Sequence, residues 1–200
     1  SVEPIDGVSG TLGQAGYGAK RGASGNHAPI WGIMTFDSAD MANMASIGTL
    51  ENVILHEMAH VIGMPNIWDS YGYRNKTNHT YSGAKGVAEY STLTGSSETT
   101  VPIEDSGGAG SLNGHWDEST FVSELMTSGI NNSQTTAASA PIARLTIGSL
   151  DDMGYTVDYS AADAYSLPGG SLLRVPAGEA MPHSTPVTLD PLKVVPPDSF

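Results

Sequence analysis

The sequence predicts an α+β fold, with a β-prone run, one well-defined helix soon after it and a second helix later in the chain. Three observations carry this. Residues 29–36 contain Ile30, Trp31, Ile33, Met34 and Phe36, an apolar and β-prone run. Leu50, Ile54, Met58, Val61 and Ile62 recur at helical spacing just before Gly63. The 200 residues include 24 Gly and 12 Pro, which favours many turns over long helices. An apolar share of 39% is enough for a core, and the length suits one domain or two small subdomains around a cleft.

Taken in order, residues 1–28 are turn-rich, with Gly at 7, 10, 13, 16, 18, 22 and 25 and a short strand expected at about 8–12. Pro29 suits a strand entry or a sheet edge. Residues 37–46 are small and polar, a loop or a short helical turn. The main helix is expected over about 49–62. Thr49 is placed to cap it, and Glu51 lies near the positive end of its dipole. Gly63 stops it and Pro65 prevents continuation. Its apolar stripe is expected to form the buried back of the helix. Residues 64–114 form a long polar insertion with a short helix at 84–93 and a glycine-rich loop at 107–114, a length that usually serves function. Residues 115–126 are apolar enough to be buried. A second helix is expected at 142–153, closed by Gly154. Beyond Ser166 lie seven of the twelve prolines, which reads as an extended tail. The chain thus divides at 1–63, 64–114, 115–165 and 166–200.

Eight Lys+Arg against 21 Asp+Glu give a net charge of −13. Such a surface repels nucleic acid and anionic membranes, and both are set aside as partners. The absence of cysteine excludes a disulfide scaffold and any thiolate metal site. No run reaches the roughly 18 apolar residues of a membrane span. The chain starts at Ser1, with neither an initiator Met nor a signal peptide, and is read as a processed or excised piece.

The chemistry is concentrated in His56-Glu57-Met58-Ala59-His60. Residues four apart share a helix face, so the two imidazoles can converge on one zinc ion at roughly 2.0–2.1 Å each. Glu57 is turned away from ligation and suits a general base that takes a proton from the attacking water and passes it to the leaving amine. A catalytic zinc usually takes three protein ligands. Gly63 stands where a compact motif of this kind continues, but Asn66 fills the next ligand position, and a neutral amide is a poor zinc ligand. The third ligand must lie further on. His27 and His79 read as loop residues, and His183 falls in the tail. His115 precedes Trp116 and is followed eleven residues later by Met126. Glu89, Glu104, Glu118 and Glu124 are the carboxylate alternatives. Glu124 could otherwise orient a ligand histidine. Glu104, Asp105 and the carbonyls of 107–110 offer a weaker oxygen site for calcium.

Residues 56–63, the long insertion, His115-Trp116 and Glu124-Leu125-Met126-Thr127 together resemble the leishmanolysin family of metzincin zinc proteases (peptidase family M8), in a bacterial-type form. The resemblance covers about residues 5–165 and includes 101–108 and 143–155. It implies a metzincin-like zincin, with an upper subdomain of twisted sheet and zinc helix and a lower subdomain of Met-turn and C-terminal helix, His56, His60 and His115 as zinc ligands, Glu57 as catalytic residue and Met126 as the Met-turn methionine beneath the metal. It also implies an edge strand at Trp31, Gly32 and Ile33 that pairs with extended substrate, because an edge strand offers unpaired N–H and C=O groups. The expected activity is zinc-dependent endopeptidase cleavage of protein or peptide substrates by a secreted enzyme. Two other readings stay open: a non-catalytic zinc-binding or adhesion module, and a zinc peptidase with a glutamate third ligand.

Overall fold

The structure, a computed structural model, describes residues 1–130, 133–136 and 138–168, together with the backbone of 187–188 and 190–191. The proposed tail at 166–200, and His183 in it, lie largely outside the described residues.

Two long strands dominate the first part. β2 (Gly13–Lys20) and β3 (Pro29–Asp37) pair antiparallel from Gly13↔Phe36 to Lys20↔Pro29. The short β1 (Val2–Glu3) joins β3 in parallel at Phe36 and Asp37. The strand expected at 8–12 begins instead at Gly13. Residues before it are held in a loop, where Asp37 accepts hydrogen bonds from the Asp6 and Gly7 N–H groups and Asp40 from that of Ser9. The polar stretch after β3 becomes α1 (Met41–Ile47).

α2 (Leu50–Val61) follows and packs against β2 and β3. Thr49 occupies the N-cap position but makes no capping hydrogen bond with its side chain. The face of α2 that is buried differs from the expectation. Asn52, Val53, His56, Glu57 and His60 are buried, whereas Met58 and Ile62 of the apolar stripe are 47% and 36% exposed. The helix runs between the sheet and the rest of the chain, so its polar functional face is enclosed and much of its apolar stripe is left at the rim.

The insertion is more ordered than its composition suggests. It contains α3 (Trp68–Tyr71), the three-stranded sheet of β4 (Arg74–Asn75), β5 (Thr80–Tyr81) and β6 (Val101–Pro102), and α4 (Ala84–Thr94) between β5 and β6. The lower part adds α5 (Glu118–Phe121), β7 (Gly129–Ile130) and α6 (Arg144–Asp152). α4 and α6 pack on each other. The insertion and the lower part build one core. Trp68, Tyr81, Val101 and Ile103 meet Trp116, Phe121, Met126, Leu145 and Met153, all fully or almost fully buried. Leu55 and Ala59 of α2 rest on that core. A smaller cluster of Leu12, Met44, Val53 and Ile130 lies on the other side of the helix. Beyond the lower part, β8 (Val187–Thr188) pairs with β7, and β9 (Asp190–Pro191) runs parallel to β2 at Gln14 and Ala15.

Candidate metal centre

Two segments bring the three histidines together. His56 and His60 project from one face of α2, as their four-residue spacing requires. His115 arrives 55 residues after His60, at the end of the insertion. Its segment is fixed on both sides: the Glu104 N–H donates to the His115 carbonyl at 3.0 Å, and the Trp116 N–H donates to the Met126 carbonyl at 2.9 Å. The Nε2 atoms of the three rings stand 2.9 Å (56–60), 3.1 Å (56–115) and 3.1 Å (60–115) apart. All three side chains are buried.

The outer nitrogens settle the tautomers. Nδ1 of His56 meets the Leu125 carbonyl at 2.7 Å, Nδ1 of His60 meets the Met64 carbonyl at 2.7 Å, and Nδ1 of His115 meets the Ser111 carbonyl at 3.3 Å. A carbonyl only accepts, so each Nδ1 carries the proton and each Nε2 presents a lone pair. Three lone pairs then converge within about 3 Å of one another with no proton between them. That arrangement is repulsive unless a cation occupies the centre. Ligands placed tetrahedrally about zinc at roughly 2.0–2.1 Å are separated by roughly 3.3–3.4 Å, close to what the rings show. Burial also holds the imidazoles neutral, the form that ligates. It is the main cause at each ring, pushing His60 down to about 4 and His56 and His115 well below the usual range. The residues present therefore fit zinc.

Gly63 lets the chain turn beneath the second ligand. Its φ of +112° is open to glycine and rarely to other residues, and it brings the Met64 carbonyl back to His60. Glu57, next to His56 in sequence, is completely buried. A Cβ atom at Gly13 would lie 2.9 Å from Glu57 Oε1, so the start of β2 closes on that carboxylate. Met126 is fully buried in the main core, one residue after the carbonyl that holds His56.

A model of the leishmanolysin peptidases matches residues 11–171. The chain belongs to the leishmanolysin family. Membership makes it a peptidase of a metal-dependent kind, acting on protein or peptide, and the buried trio of histidines accounts for the implied zinc. Neither the curated proteins nor the solved structures give a significant match.

The other candidates separate cleanly from this centre. None of the four glutamates joins the cluster. Glu89 pairs with Arg144, and Glu104 accepts from Ser106, the Glu118 N–H and Ser128. Glu118 accepts from the Gly129 N–H, and Glu124 from Met126, Ala143 and Thr146. His79 bonds Asn113, and His27 packs edge-on against Tyr71. Glu104, Asp105 and Asp117 do approach one another, within 4.8 Å by their ligand atoms. Two of these carboxylates are already engaged, however: Glu104 as above, and Asp117 in capping α5 through the Thr120 N–H. Nothing supports calcium there. Trp31, Gly32 and Ile33 have β2 on one flank. No strand covers their other flank among the described residues. Gly13 of β2 is a strand residue that closes on Glu57. Sequence reasoning missed that glycine and the three carbonyls that orient the rings, because a backbone acceptor leaves no signature in residue type.

Among the described residues, no helix is long and apolar enough to cross a membrane.

Proposed function

We propose that the chain is a secreted, zinc-dependent endopeptidase of metzincin type, with His56, His60 and His115 as metal ligands and Glu57 as the catalytic base. The carrying observation is the convergence of three Nε2 lone pairs, each fixed by an Nδ1–H···O=C hydrogen bond, beside a buried glutamate. In this reading residues 1–63 form the upper wall, 64–114 the insertion, and 115–165 the floor that carries Met126 as the Met-turn methionine. When bound, zinc supplies Lewis acidity, polarising the scissile carbonyl and bringing the acidity of water towards about pH 7. The protein's own contribution is positional. The histidines need no reorganisation, since their rings are held by carbonyls. Glu57 accepts the proton of the attacking water and delivers it to the nitrogen of the breaking peptide bond.

Extended substrate would add to a sheet edge. Among the described residues Trp31–Ile33 keep a flank that no strand covers, whereas β2 has β3 on one side and β9 on the other at Gln14 and Ala15. A closed structural zinc site uses four protein ligands, whereas among the described residues the cluster has three. This favours an enzyme over an adhesion module.

The test is Glu57→Gln. The variant should retain zinc, measured by metal analysis, and lose casein cleavage by about 10²–10⁴-fold or more, the usual worth of a positioned acid–base group. Cleavage at the wild-type rate would sink the mechanism.

A further inference from the structure

Glu124 is fully buried, and the proposed mechanism leaves it without a role. Its carboxylate accepts three hydrogen bonds from two directions. Oε2 takes the Met126 N–H at 2.6 Å. Oε1 takes the Ala143 N–H at 3.0 Å, at the N-terminus of α6, and the Thr146 hydroxyl at 2.6 Å. That hydroxyl in turn accepts the Trp116 indole N–H at 2.8 Å, so its proton is committed to Glu124. Both ends of the network reach the metal centre. Leu125, enclosed between Glu124 and Met126, presents the carbonyl that holds His56 Nδ1. Its own N–H is tied to the Pro141 carbonyl at 3.0 Å. Trp116 is the residue after His115.

Burying a carboxylate with no cation among these contacts is expensive, and a helix N-terminus can be capped more cheaply by an exposed Ser or Asp. A carboxyl group whose two oxygens take three donors joins three elements here. Resting on the metallopeptidase reading above, we propose that Glu124 is a positioning residue of the metal centre. It fixes the His56 ring through the Leu125 carbonyl, and the segment bearing His115 through Thr146 and Trp116.

The measurement is zinc affinity of the full chain, by competition with a chelator, together with the visible spectrum of the cobalt-substituted protein. Glu124→Gln puts an amide N–H₂ against one of the present donors and should weaken zinc binding by about 10–100-fold, the usual worth of an outer partner of a ligand, and alter the cobalt spectrum. Thr146→Val should weaken binding in the same direction, and Thr146→Ser, which keeps the hydroxyl, should restore it. Asp152→Ala, which removes the acceptor of the Lys85 and Gly86 N–H groups and hydrogen-bonds no member of this network, should leave zinc affinity unchanged. If Glu124→Gln binds zinc as tightly as wild type with an unchanged spectrum, Glu124 is merely structural and the proposal is overturned. Should Glu124→Gln fail to fold, equal zinc affinities for Thr146→Val and Thr146→Ser overturn it instead. A wild-type chain that binds zinc independently of His115 would refute the functional reading itself, a result separable from all of these.

Discussion

A Cβ atom at Gly13 would stand 2.9 Å from Glu57 Oε1, 3.2 Å from its Cγ and 3.2 Å from the Phe36 ring. The first two contacts are with the proposed base and the third is with a neighbouring strand, so an added methyl group has little room to yield except by pushing Glu57. Acid–base geometry is sensitive to such shifts. Gly13→Ala is therefore expected to lower kcat by about 10-fold with zinc content unchanged, checked by steady-state cleavage of a peptide beside metal analysis. A wild-type kcat would show that Glu57 is set by something other than β2. The motif His56-Glu57-x-x-His60 was legible because side-chain type and spacing alone specify it. Gly13 was not, because seven glycines in the first 25 residues look alike until the strand pairing singles one out.

At the scale of elements, α4 shows how the insertion is tied to the lower part. It starts after Gly83, which has no side chain to cap it. The cap comes from α6 instead. Asp152 accepts from the Lys85 and Gly86 N–H groups at 2.9 Å each and from the Tyr81 hydroxyl at 2.7 Å. One carboxylate thus serves the N-terminus of α4 and a buried tyrosine of β5. Asp152→Ala leaves those donors short of an acceptor and is expected to cost about 1–3 kcal/mol, read as a lower urea midpoint with zinc affinity intact. A change below about 0.5 kcal/mol would mean that water replaces the carboxylate without loss. Local signals placed the helices well: 84–93 was expected and Ala84–Thr94 is found, 142–153 was expected and Arg144–Asp152 is found. Periodicity did not identify which face of α2 is buried. A helix enclosed on two sides buries what its neighbours cover, and here they cover the histidines and Glu57 rather than Met58 and Ile62. Nor did polarity reveal that the insertion supplies Trp68, Tyr81, Val101 and Ile103 to the main core. Four large side chains spread over 36 positions make no run and no period.

For the molecule as a whole, burial of the metal centre sets its response to pH. Two kinds of buried group oppose each other. The histidines are held below their ordinary pKa, so the unfolded chain takes up protons that the folded chain refuses. Their contribution is present above about 6.5 and is lost as pH falls towards the folded values, about 4 for His60. Glu118 and Glu124 are pushed up to about 7, chiefly by burial, so their contribution is present below about 4.5 and is lost as pH rises through about 7. Thermal stability of the metal-free chain therefore mixes opposing slopes, whereas release of zinc requires a proton on an imidazole. A protonated imidazole cannot ligate, and these rings resist protonation far below the ordinary histidine range. Zinc is expected to remain bound from pH 7 down to about 5.5, where a solvated histidine is mostly protonated, because burial holds His60 down to about 4 and the other two rings well below the usual range. Dialysis at graded pH followed by metal analysis measures this directly. Half-loss of zinc near pH 6.5 would mean that the three rings are solvated in the folded protein, contrary to the enclosure that α2, the insertion and residues 115–126 build around them.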